Sequence, residues 1–262
     1  MISFLACSKN NNQSKLLDDE KPIENKTSEF SFKKGDLRFE LINEFPHNAN
    51  SYTQGLFFLD SVLYESSGGY GKSKLYKFDN KNGSTINDSR LSISIFAEGI
   101  ELVNNKIYML TWKSGVCIVH DLEFNQENIF KYEGEGWGIC TDNKFIYMSD
   151  GSHRIQVRDI NSFDLIKRID VLDKFGMPLT DINELEYVDG EIFANIWLQD
   201  RIVRIDPITG EFRGEIDLTP LRKRLVDNPE AEALNGIAFD NQNKYFYLTG
   251  KNWNSYFVVK FN

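Results

Sequence analysis

The stretch Phe96-Ala97-Glu98-Gly99-Ile100-Glu101 decides the fold, because the position of Glu98, at the head of a short apolar strand, recurs along the chain. In each copy a polar residue or a tryptophan leads a short apolar strand, and a turn and a second strand rich in Ile, Tyr and Phe follow. The five copies are QGLFFLDSVLYES from Gln54, EGIELVNNKIYMLT from Glu98, WGICTDNKFIYMSD from Trp137, NELEYVDGEIFANI from Asn183 and NGIAFDNQNKYFYLTG from Asn235.

The spacing of these copies predicts the architecture. Their leading residues are separated by 44, 39, 46 and 52 residues, and repeats of about 40 to 50 residues are typical of β-propeller blades. Leu37 to Phe45 alternates apolar and polar residues like a strand, whereas the last copy ends at Phe261 without a closing strand of its own. We therefore predict an all-β, five-bladed β-propeller in which the N-terminal strand closes the last blade and hides two sheet edges.

Length, composition and charge limit the classes of protein to which this chain can belong. A chain of 262 residues with 41% hydrophobic and 13% aromatic residues suits one all-β domain with a substantial core. The net charge of −9 and the pI near 5.0 would repel phosphate backbones and anionic lipids. We expect a monomer that does not bind nucleic acid.

The N-terminal residues have a different character from the repeats. Leu5-Ala6-Cys7-Ser8 matches the end of a bacterial lipoprotein signal, but only six residues precede Cys7, so it is either a truncated signal or a chance match. A polar tract follows it and is too poor in apolar residues to fold. We expect residues 1–29 to be a truncated signal and disordered tether, and residues 30–262 to be the catalytic propeller. The expected location is the periplasm or cell envelope, with a lipid anchor through Cys7 and no membrane span.

Two features fall outside the repeat pattern. Cys117 and Cys140 lie in repeat strands, where a small buried thiol is the ordinary interpretation, and the sequence leaves a disulfide between them open. An insertion between Thr219 and Ala233 contains Leu221 and Leu225 with basic neighbours and predicts a short helix. The pattern favours a solvated connection there over a lid or an edge cover.

Propeller geometry predicts which side chains meet. Residues that lead the innermost strands cluster at one mouth of the central channel, and residues that follow the second strands lie on the same or an adjoining rim. Three of the four tryptophans fall in these two sets, and aromatic walls with a few polar groups are typical of small-ligand pockets. The first set is Gln54, Glu98, Trp137, Asn183 and Asn235, and the second is Glu65, Trp112, Asp150, Trp197 and Lys251.

Nine short motifs occur in order between residues 45 and 261. They are Ser51-Tyr52-Thr53-Gln54-Gly55-Leu56, Tyr64-Glu65-Ser66-Ser67-Gly68, Phe96-Ala97-Glu98-Gly99, Leu110-Thr111-Trp112, Gly136-Trp137-Gly138, Ser149-Asp150-Gly151-Ser152, Ile182-Asn183-Glu184-Leu185-Glu186-Tyr187, Asn195-Ile196-Trp197 and Leu234-Asn235-Gly236-Ile237-Ala238. Together they resemble the glutamine cyclotransferases (glutaminyl-peptide cyclotransferases) of the plant and bacterial type, which are five-bladed propellers.

This resemblance implies an acyltransferase that converts an N-terminal glutaminyl residue into pyroglutamyl and releases ammonia. Its partners would be peptides or small molecules with an N-terminal glutamine. The implied catalytic residues are Glu98, as general acid and base, and Asn183. The implied substrate-binding residues are Tyr52, Gln54, Phe96, Trp112, Trp137, Trp197 and Lys251. Tyr52 departs from the family pattern, where phenylalanine is usual.

The chemistry of this reaction suits these residue types. The α-amine attacks the γ-amide carbon of its own residue, and a tight aromatic pocket favours the folded side chain over extended rotamers. One carboxyl group, Glu98, can take the proton that the amine loses and give one to the leaving nitrogen. The amides of Asn183 and Gln54, with indole N–H groups, would bind the developing oxyanion. The scheme requires no metal and no cofactor.

Metal chemistry and two other functions are the alternatives to this reaction. His47, His120 and His153 are scattered, and no zinc-type spacing of His or Cys occurs. A calcium-dependent, lactonase-like propeller hydrolase is one alternative, but it would have six repeats and acidic rings instead of tryptophan-rich ones. A non-catalytic peptide-binding propeller is the other, and it would not need a carboxylate at the position of Glu98.

Overall fold

A computed structural model describes residues 32–262. The predictions for Cys7 and for the tether within residues 1–29 lie outside the described residues. The described part contains 20 strands and one short helix, and none of its helices combines the length and hydropathy that a membrane span requires.

The strands form five antiparallel sheets of four strands each. The first blade contains β2 (Thr53–Leu59), β3 (Val62–Ser67), β4 (Lys74–Asp79) and β5 (Thr85–Arg90). The second contains β6 (Ala97–Val103), β7 (Lys106–Thr111), β8 (Val116–His120) and β9 (Gln126–Lys131). The third contains β10 (Ile139–Thr141), β11 (Phe145–Met148), β12 (Arg154–Asp159) and β13 (Leu165–Asp170). The fourth contains β14 (Ile182–Val188), β15 (Glu191–Ile196), β16 (Arg201–Ile205) and β17 (Phe212–Asp217). The fifth contains β18 (Leu234–Asp240), β19 (Tyr245–Gly250), β20 (Ser255–Phe261) and β1 (Phe39–Pro46).

The first strands of the five sheets form a closed ring. Strand β2 contacts β6, β6 contacts β10, β10 contacts β14, β14 contacts β18, and β18 returns to β2. Their residues are largely buried, and the outermost strands are largely exposed, as expected when blades pack face to face around a central axis. The predicted five-bladed propeller is confirmed.

The N-terminal strand closes the ring as predicted. Strand β1 pairs antiparallel with β20, from Phe39 opposite Phe261 to Pro46 opposite Ser255. The residues just before β1 also cross the edge of the fourth blade, where Leu37 donates a backbone hydrogen bond of 3.0 Å to Glu215. The N-terminal segment therefore joins the last two blades and covers an edge of each.

Glycines allow the innermost strands to approach closely at the hub. A Cβ atom on Gly99 would lie 2.7 Å from the carbonyl oxygen of Trp137, and one on Gly138 would lie 2.1 Å from that of Asn183. The Gly99 N–H donates a 2.7 Å hydrogen bond to the Trp137 carbonyl across the blade boundary. The glycine that follows the leading residue in these copies is therefore required by backbone contact.

The prediction of a solvated connection between Thr219 and Ala233 is wrong. The segment begins with helix α1 (Thr219–Arg222), and Leu221 and Leu225 are buried in a core cluster with Trp253. Arg222 donates side-chain hydrogen bonds to the backbone carbonyls of Ala231 and Glu232. The apolar residues make the insertion a docked cover on the fifth blade, because exposing them would forfeit the free energy of their burial.

Cys117 and Cys140 are buried free thiols in the second and third blades, so they do not form the disulfide that the sequence left open.

Asn104, Asn105 and Asn143 lie in turns that were predicted from Asn and Asp, and they have positive φ angles of 50°, 60° and 64°. Asparagine tolerates this left-handed conformation better than most residues.

Candidate active site

The five residues that lead the repeats lie at the same end of their strands. Each is the second residue of its innermost strand, except Trp137, which lies two residues before β10. Because these strands surround one axis and start at the same face, their leading side chains converge at one mouth of the channel.

The second set reaches the same mouth through antiparallel pairing. Ala97 at the start of β6 pairs with Thr111 at the end of β7, so Trp112 emerges beside Glu98. The equivalent pairings at the ends of β15 and β19 bring Trp197 and Lys251 to the same face. An antiparallel hairpin always places the end of its second strand beside the start of its first.

The converging side chains enclose a pocket of about 370 Å³. Its lining residues are Tyr52, Gln54, Phe96, Glu98, Trp112, Trp137, Asn183, Trp197 and Lys251. These are the nine residues that the sequence analysis assigned to catalysis or substrate binding. The volume is at the small end of the range for ligand pockets, which suits a single amino-acid side chain with its α-amine.

Glu98 is the buried carboxyl group of the pocket, with 4% of its surface exposed. Burial raises the pKa of Glu98 well above its usual range, the positive charge of Lys251 opposes this shift, and the negative charge of Glu135 adds to it. Among residues 32–262 no side chain donates a hydrogen bond to its carboxylate, and Ser66 holds only its backbone carbonyl, at 2.6 Å. The carboxyl group is therefore free to exchange a proton with a bound ligand.

Lys251 and Tyr52 form one wall of the pocket. The ammonium group of Lys251 lies 4.8 Å from the centre of the Tyr52 ring. Burial lowers the pKa of Lys251, and the carboxylates of Glu98 and Glu232 oppose that shift. The Tyr52 hydroxyl donates a 3.3 Å hydrogen bond to Glu232; burial, with the charge of this carboxylate, raises the pKa of Tyr52 to about 12. The hydroxyl that distinguishes Tyr52 from phenylalanine thus ties the wall to the docked insertion.

Glu135 supports two walls of the pocket and was not among the residues predicted from the sequence. It accepts hydrogen bonds from the indole nitrogens of Trp112 at 2.6 Å and Trp137 at 3.0 Å, and its second oxygen lies 3.7 Å from the ammonium group of Lys113. The proposed use of indole N–H groups as oxyanion donors is therefore wrong for these two tryptophans, because a carboxylate already occupies their donors. Glu135 instead fixes the orientation of both rings.

The aromatic walls contact one another edge to face. Phe96 and Trp112 have ring centres 5.3 Å apart at 61°, and Trp137 and Trp197 have centres 5.8 Å apart at 87°. Such edge-to-face pairs are favourable because the positive ring edge meets the negative face. These contacts fix the positions of the four rings that surround the carboxyl group of Glu98.

Asn183 and Gln54 supply amide groups to the pocket. The side-chain oxygen of Asn183 is buried and has no hydrogen-bond partner among the described residues, so a ligand N–H group would relieve an otherwise unfavourable burial. The side-chain oxygen of Gln54 is 3.4 Å from the amide nitrogen of Asn235, which leaves the Gln54 amide nitrogen as a donor for a ligand oxygen. The two amides can therefore orient a substrate amide from both sides.

Three members of the predicted sets do not line the pocket. Asn235 lies behind Gln54 and donates a 3.0 Å hydrogen bond to the backbone of Thr53. Asp150 accepts hydrogen bonds from Ser152 and Gln156. Glu65 is fully buried and is bound by side chains at the boundary between the first and last blades. Glu65 was misaligned because it lies inside β3, whereas Trp112 follows the end of its strand.

Correct alignment of the strand ends places glycines where the other blades have tryptophan or lysine. Gly68 follows β3, and Gly151 lies 15 residues after Gly136, just as Trp112 lies 15 residues after Ala97. A Cβ atom on Gly68 would be 2.4 Å from the Phe96 ring, and one on Gly151 would be 2.6 Å from the Trp137 ring. Both glycines make room for an aromatic wall. The sequence signal is this spacing of 15 residues, which holds in the first four blades and becomes 17 in the fifth, from Leu234 to Lys251.

Comparison with known proteins identifies the family. The family model described as glutamine cyclotransferase matches residues 18–261. The chain belongs to the glutamine cyclotransferase family. A glutaminyl-peptide cyclotransferase from Arabidopsis thaliana is 31% identical over 226 residues, which cover 84% of this chain and 70% of that protein. The crystal structure of the Myxococcus xanthus glutaminyl cyclase is 33% identical and superposes with a TM-score of 0.81, over 88% of this chain and 99% of the other.

Membership of the glutamine cyclotransferase family confirms the resemblance drawn from the nine motifs. The individual roles assigned to the pocket residues stay predictions, since the family match does not test them. Within residues 32–262 no three His, Cys, Asp or Glu side chains are arranged to hold a metal ion.

Proposed function

We propose that this glutamine cyclotransferase acts on peptides and small molecules with an N-terminal glutamine, forming pyroglutamate and releasing ammonia. The observation that carries the proposal is the buried carboxyl of Glu98, with its raised pKa, inside a small aromatic pocket. The family match and the named relatives support the same reaction.

The pocket first brings the two reacting groups of the substrate together. The γ-amide of glutamine must fold back until its carbonyl carbon meets the α-amine, and a narrow cavity walled by Phe96, Trp112 and Trp137 favours such compact rotamers. Binding already holds the two reacting groups together, so the entropy lost in bringing them together no longer adds to the barrier of the chemical step.

Glu98 then moves the proton. The amine nitrogen forms a bond to the amide carbon, the carbonyl electrons move onto oxygen, and the carboxylate of Glu98 takes the proton that the amine loses. When the tetrahedral intermediate collapses, the carboxyl returns a proton to the amide nitrogen and the carbon–nitrogen bond breaks. The products are the lactam and ammonia, and Glu98 ends in the state in which it began. Such proton transfer typically contributes about 10² to 10⁴-fold to the rate.

The amides of Gln54 and Asn183 orient the reacting groups. The Gln54 amide nitrogen is the donor for the developing oxyanion. The unpaired oxygen of Asn183 accepts a hydrogen bond from the amine or from the leaving nitrogen. This division of roles modifies the sequence-based scheme, in which both amides were donors.

The test is mass spectrometry of a peptide that begins with glutamine, together with an assay for free ammonia. We expect the peptide to lose the mass of one ammonia. The Glu98→Gln variant should lose at least about 10²-fold in kcat and should keep the wild-type unfolding midpoint. Near-normal turnover by this variant would remove Glu98 from the mechanism. Absence of product from the wild-type protein, with tight peptide binding, would instead favour a non-catalytic propeller.

We also propose a location in the cell envelope with a lipid anchor through Cys7, supported by the Leu5-Ala6-Cys7-Ser8 motif. Growth of the source cells with labelled palmitate should label the wild-type protein in the membrane fraction. The Cys7→Ser variant should be unlabelled and soluble. Equal labelling of the two proteins would contradict the anchor.

A further inference from the structure

A second and larger cavity adjoins the proposed active site. It has a volume of about 830 Å³ and shares Tyr52, Phe96 and Trp112 with the pocket as common walls. We call it the groove and define it by its three bounding segments, residues 49–52, 67–72 and 228–230. The mechanism derived above uses the pocket and leaves the groove without a role.

The groove combines an aromatic side with amide groups. Tyr76 adds to the shared aromatic walls, and Asn50, Asn228 and Asn252 lie along the groove. An asparagine amide can both donate and accept a hydrogen bond, which matches the N–H and C=O of a peptide group. A lining of this kind can bind a peptide main chain without selecting particular side chains.

Hydrogen bonds hold the asparagine residues of the groove in place. The side chain of Asn228 donates a 2.7 Å hydrogen bond to the carbonyl of Asn252, and the Asn252 N–H donates a 2.8 Å hydrogen bond to Ser51. The insertion that carries Asn228 is tied to the shared wall by the hydrogen bond between Tyr52 and Glu232. The groove is thus formed before any ligand arrives, which lowers the entropic cost of binding.

One exposed charge of each sign belongs to the groove. Lys72 and Glu230 are both exposed lining residues on different bounding segments. An acidic or a basic side chain of a bound ligand would be attracted by one of these charges and repelled by the other. The groove can therefore accept peptides of either charge in different arrangements.

We propose that the groove binds the residues that follow the N-terminal glutamine, so that peptides are preferred to glutamine amide. This inference rests on the proposed function. The pocket is large enough for the glutamine side chain and its amine, and the rest of a peptide must leave it. The groove begins at three walls of that pocket, so a chain that leaves over Tyr52, Phe96 and Trp112 enters it directly.

The first experiment compares substrates of different length by ammonia release. The series is glutamine amide, a glutaminyl dipeptide amide and a glutaminyl tetrapeptide amide with glycine at the added positions. We expect kcat/KM to rise about tenfold or more from the amide to the tetrapeptide, which corresponds to one or two net hydrogen bonds. The gain should appear mainly in KM, because the groove contacts are equally strong before and during the reaction.

The second experiment changes the groove. Ala49→Trp places an indole at an exposed lining position and should lower the tetrapeptide-to-amide ratio of kcat/KM. Lys72→Glu should lower kcat/KM severalfold for a peptide with two aspartates after glutamine, relative to one with two lysines, and less so at high salt. The control is Lys144→Glu, which makes the same charge change in the exposed turn at the opposite end of β10. It should leave these ratios unchanged.

The outcomes separate the groove from the reaction itself. Equal kcat/KM for the amide and the tetrapeptide, or ratios that no groove variant changes, would overturn the inference and leave the cyclase activity intact. If no substrate releases ammonia, the proposed function fails, and calorimetry then decides the groove. Tetrapeptide amide binding to the Glu98→Gln variant more tightly than glutamine amide would support a peptide site, and equal binding would exclude it.

Discussion

At the scale of single residues, the protonation of Glu98 controls the proposed chemistry. The reactive complex holds a neutral substrate amine and the carboxylate of Glu98, because the proton that the amine loses on attack is the one that Glu98 passes to the leaving nitrogen. Below the raised pKa of Glu98 its carboxyl group is already protonated and cannot take that proton. Below the pKa of the substrate amine, about 7.7 to 8.0 for an ordinary chain terminus, the amine is protonated and cannot attack. We therefore expect kcat/KM to rise with pH and then to level off.

The two charges beside Glu98 should move the acidic limb of this pH profile in opposite directions. Lys251 lowers the pKa of Glu98 and Glu135 raises it. Lys251→Met should therefore shift the acidic limb to higher pH, and Glu135→Gln should shift it to lower pH while its amide oxygen still accepts from the indoles. The measurement is kcat/KM for one glutaminyl peptide across the pH range. Shifts in the same direction, or no shift in either variant, would show that another group sets the limb.

At the scale of strands, the residues just after the second strand of each blade shape the pocket. The residue directly after it is Gly68 in the first blade, Trp112 in the second, Trp197 in the fourth and Lys251 in the fifth, and in the third blade Gly151 follows the end of β11 by three residues. The glycines leave room for rings that belong to the neighbouring positions. In the first four blades a large side chain and a glycine thus take turns along the pocket, and a Cβ atom on either glycine would collide with an aromatic ring.

The variant Gly68→Ala tests this account. The added methyl group would lie 2.4 Å from the Phe96 ring and 2.9 Å from the Gln54 side chain, so both must shift. We expect kcat/KM to fall about tenfold or more, since small displacements of reacting groups are costly, with an overpacking cost of about 1 to 3 kcal/mol in the free energy of unfolding. A double-mutant cycle with Phe96→Leu should show coupling between the two positions. Additive effects would mean that Gly68 does not position the ring.

The strand ends also explain what could be predicted from the sequence. The hub positions were recognisable because a glycine follows the leading residue in four of the five copies, with Glu184 as the exception. Glu65 was misassigned by three residues, because an apolar pattern does not show where a strand ends to within a few residues. Glu135 was missed because the direction of an indole N–H depends on how the blades pack, and the spacing of residues carries no record of that direction.

At the scale of the whole molecule, the ring must be held shut where its two ends meet. Glu65 lies at this seam and accepts hydrogen bonds from Thr53 at 2.8 Å, from Tyr256 in the last blade, and from Ser51, while His47 is 2.9 Å away. Burial alone would raise the pKa of Glu65, but the charge of His47 and the surrounding hydrogen bonds lower it. The carboxylate therefore stabilises the seam in its ionised form.

The variant Glu65→Gln should reveal this contribution through its dependence on pH. Because the pKa is lower in the folded state than in the unfolded one, the stabilisation is complete above the unfolded value and is lost as the pH falls through the folded value. We expect a loss of about 3 kcal/mol near neutral pH, and a difference from wild type that shrinks below about pH 4. Urea unfolding at several pH values measures it. A difference that stays constant with pH would contradict an ionised Glu65.

The segment before β1 is the second place at which the ring is closed. The side chain of Arg204 binds this segment. This fully buried side chain forms an ion pair with Glu191 at 2.7 Å and donates hydrogen bonds to the carbonyls of Gly35 at 2.7 Å and Lys33 at 3.0 Å. Arg204→Met should cost about 3 kcal/mol in the free energy of unfolding, because it leaves a carboxylate and two carbonyls without their donor.

The double variant Glu191→Leu with Arg204→Met separates these two effects. It replaces the ion pair by apolar side chains, an exchange that is often neutral in a protein interior, but it leaves the carbonyls of Lys33 and Gly35 without a donor. If the segment helps to close the propeller, the double variant should regain only part of the lost stability. Limited proteolysis should then cut near residue 35 faster than in the wild-type protein. Full recovery with unchanged cleavage would show that Arg204 serves only to neutralise Glu191, and that β1 alone closes the ring.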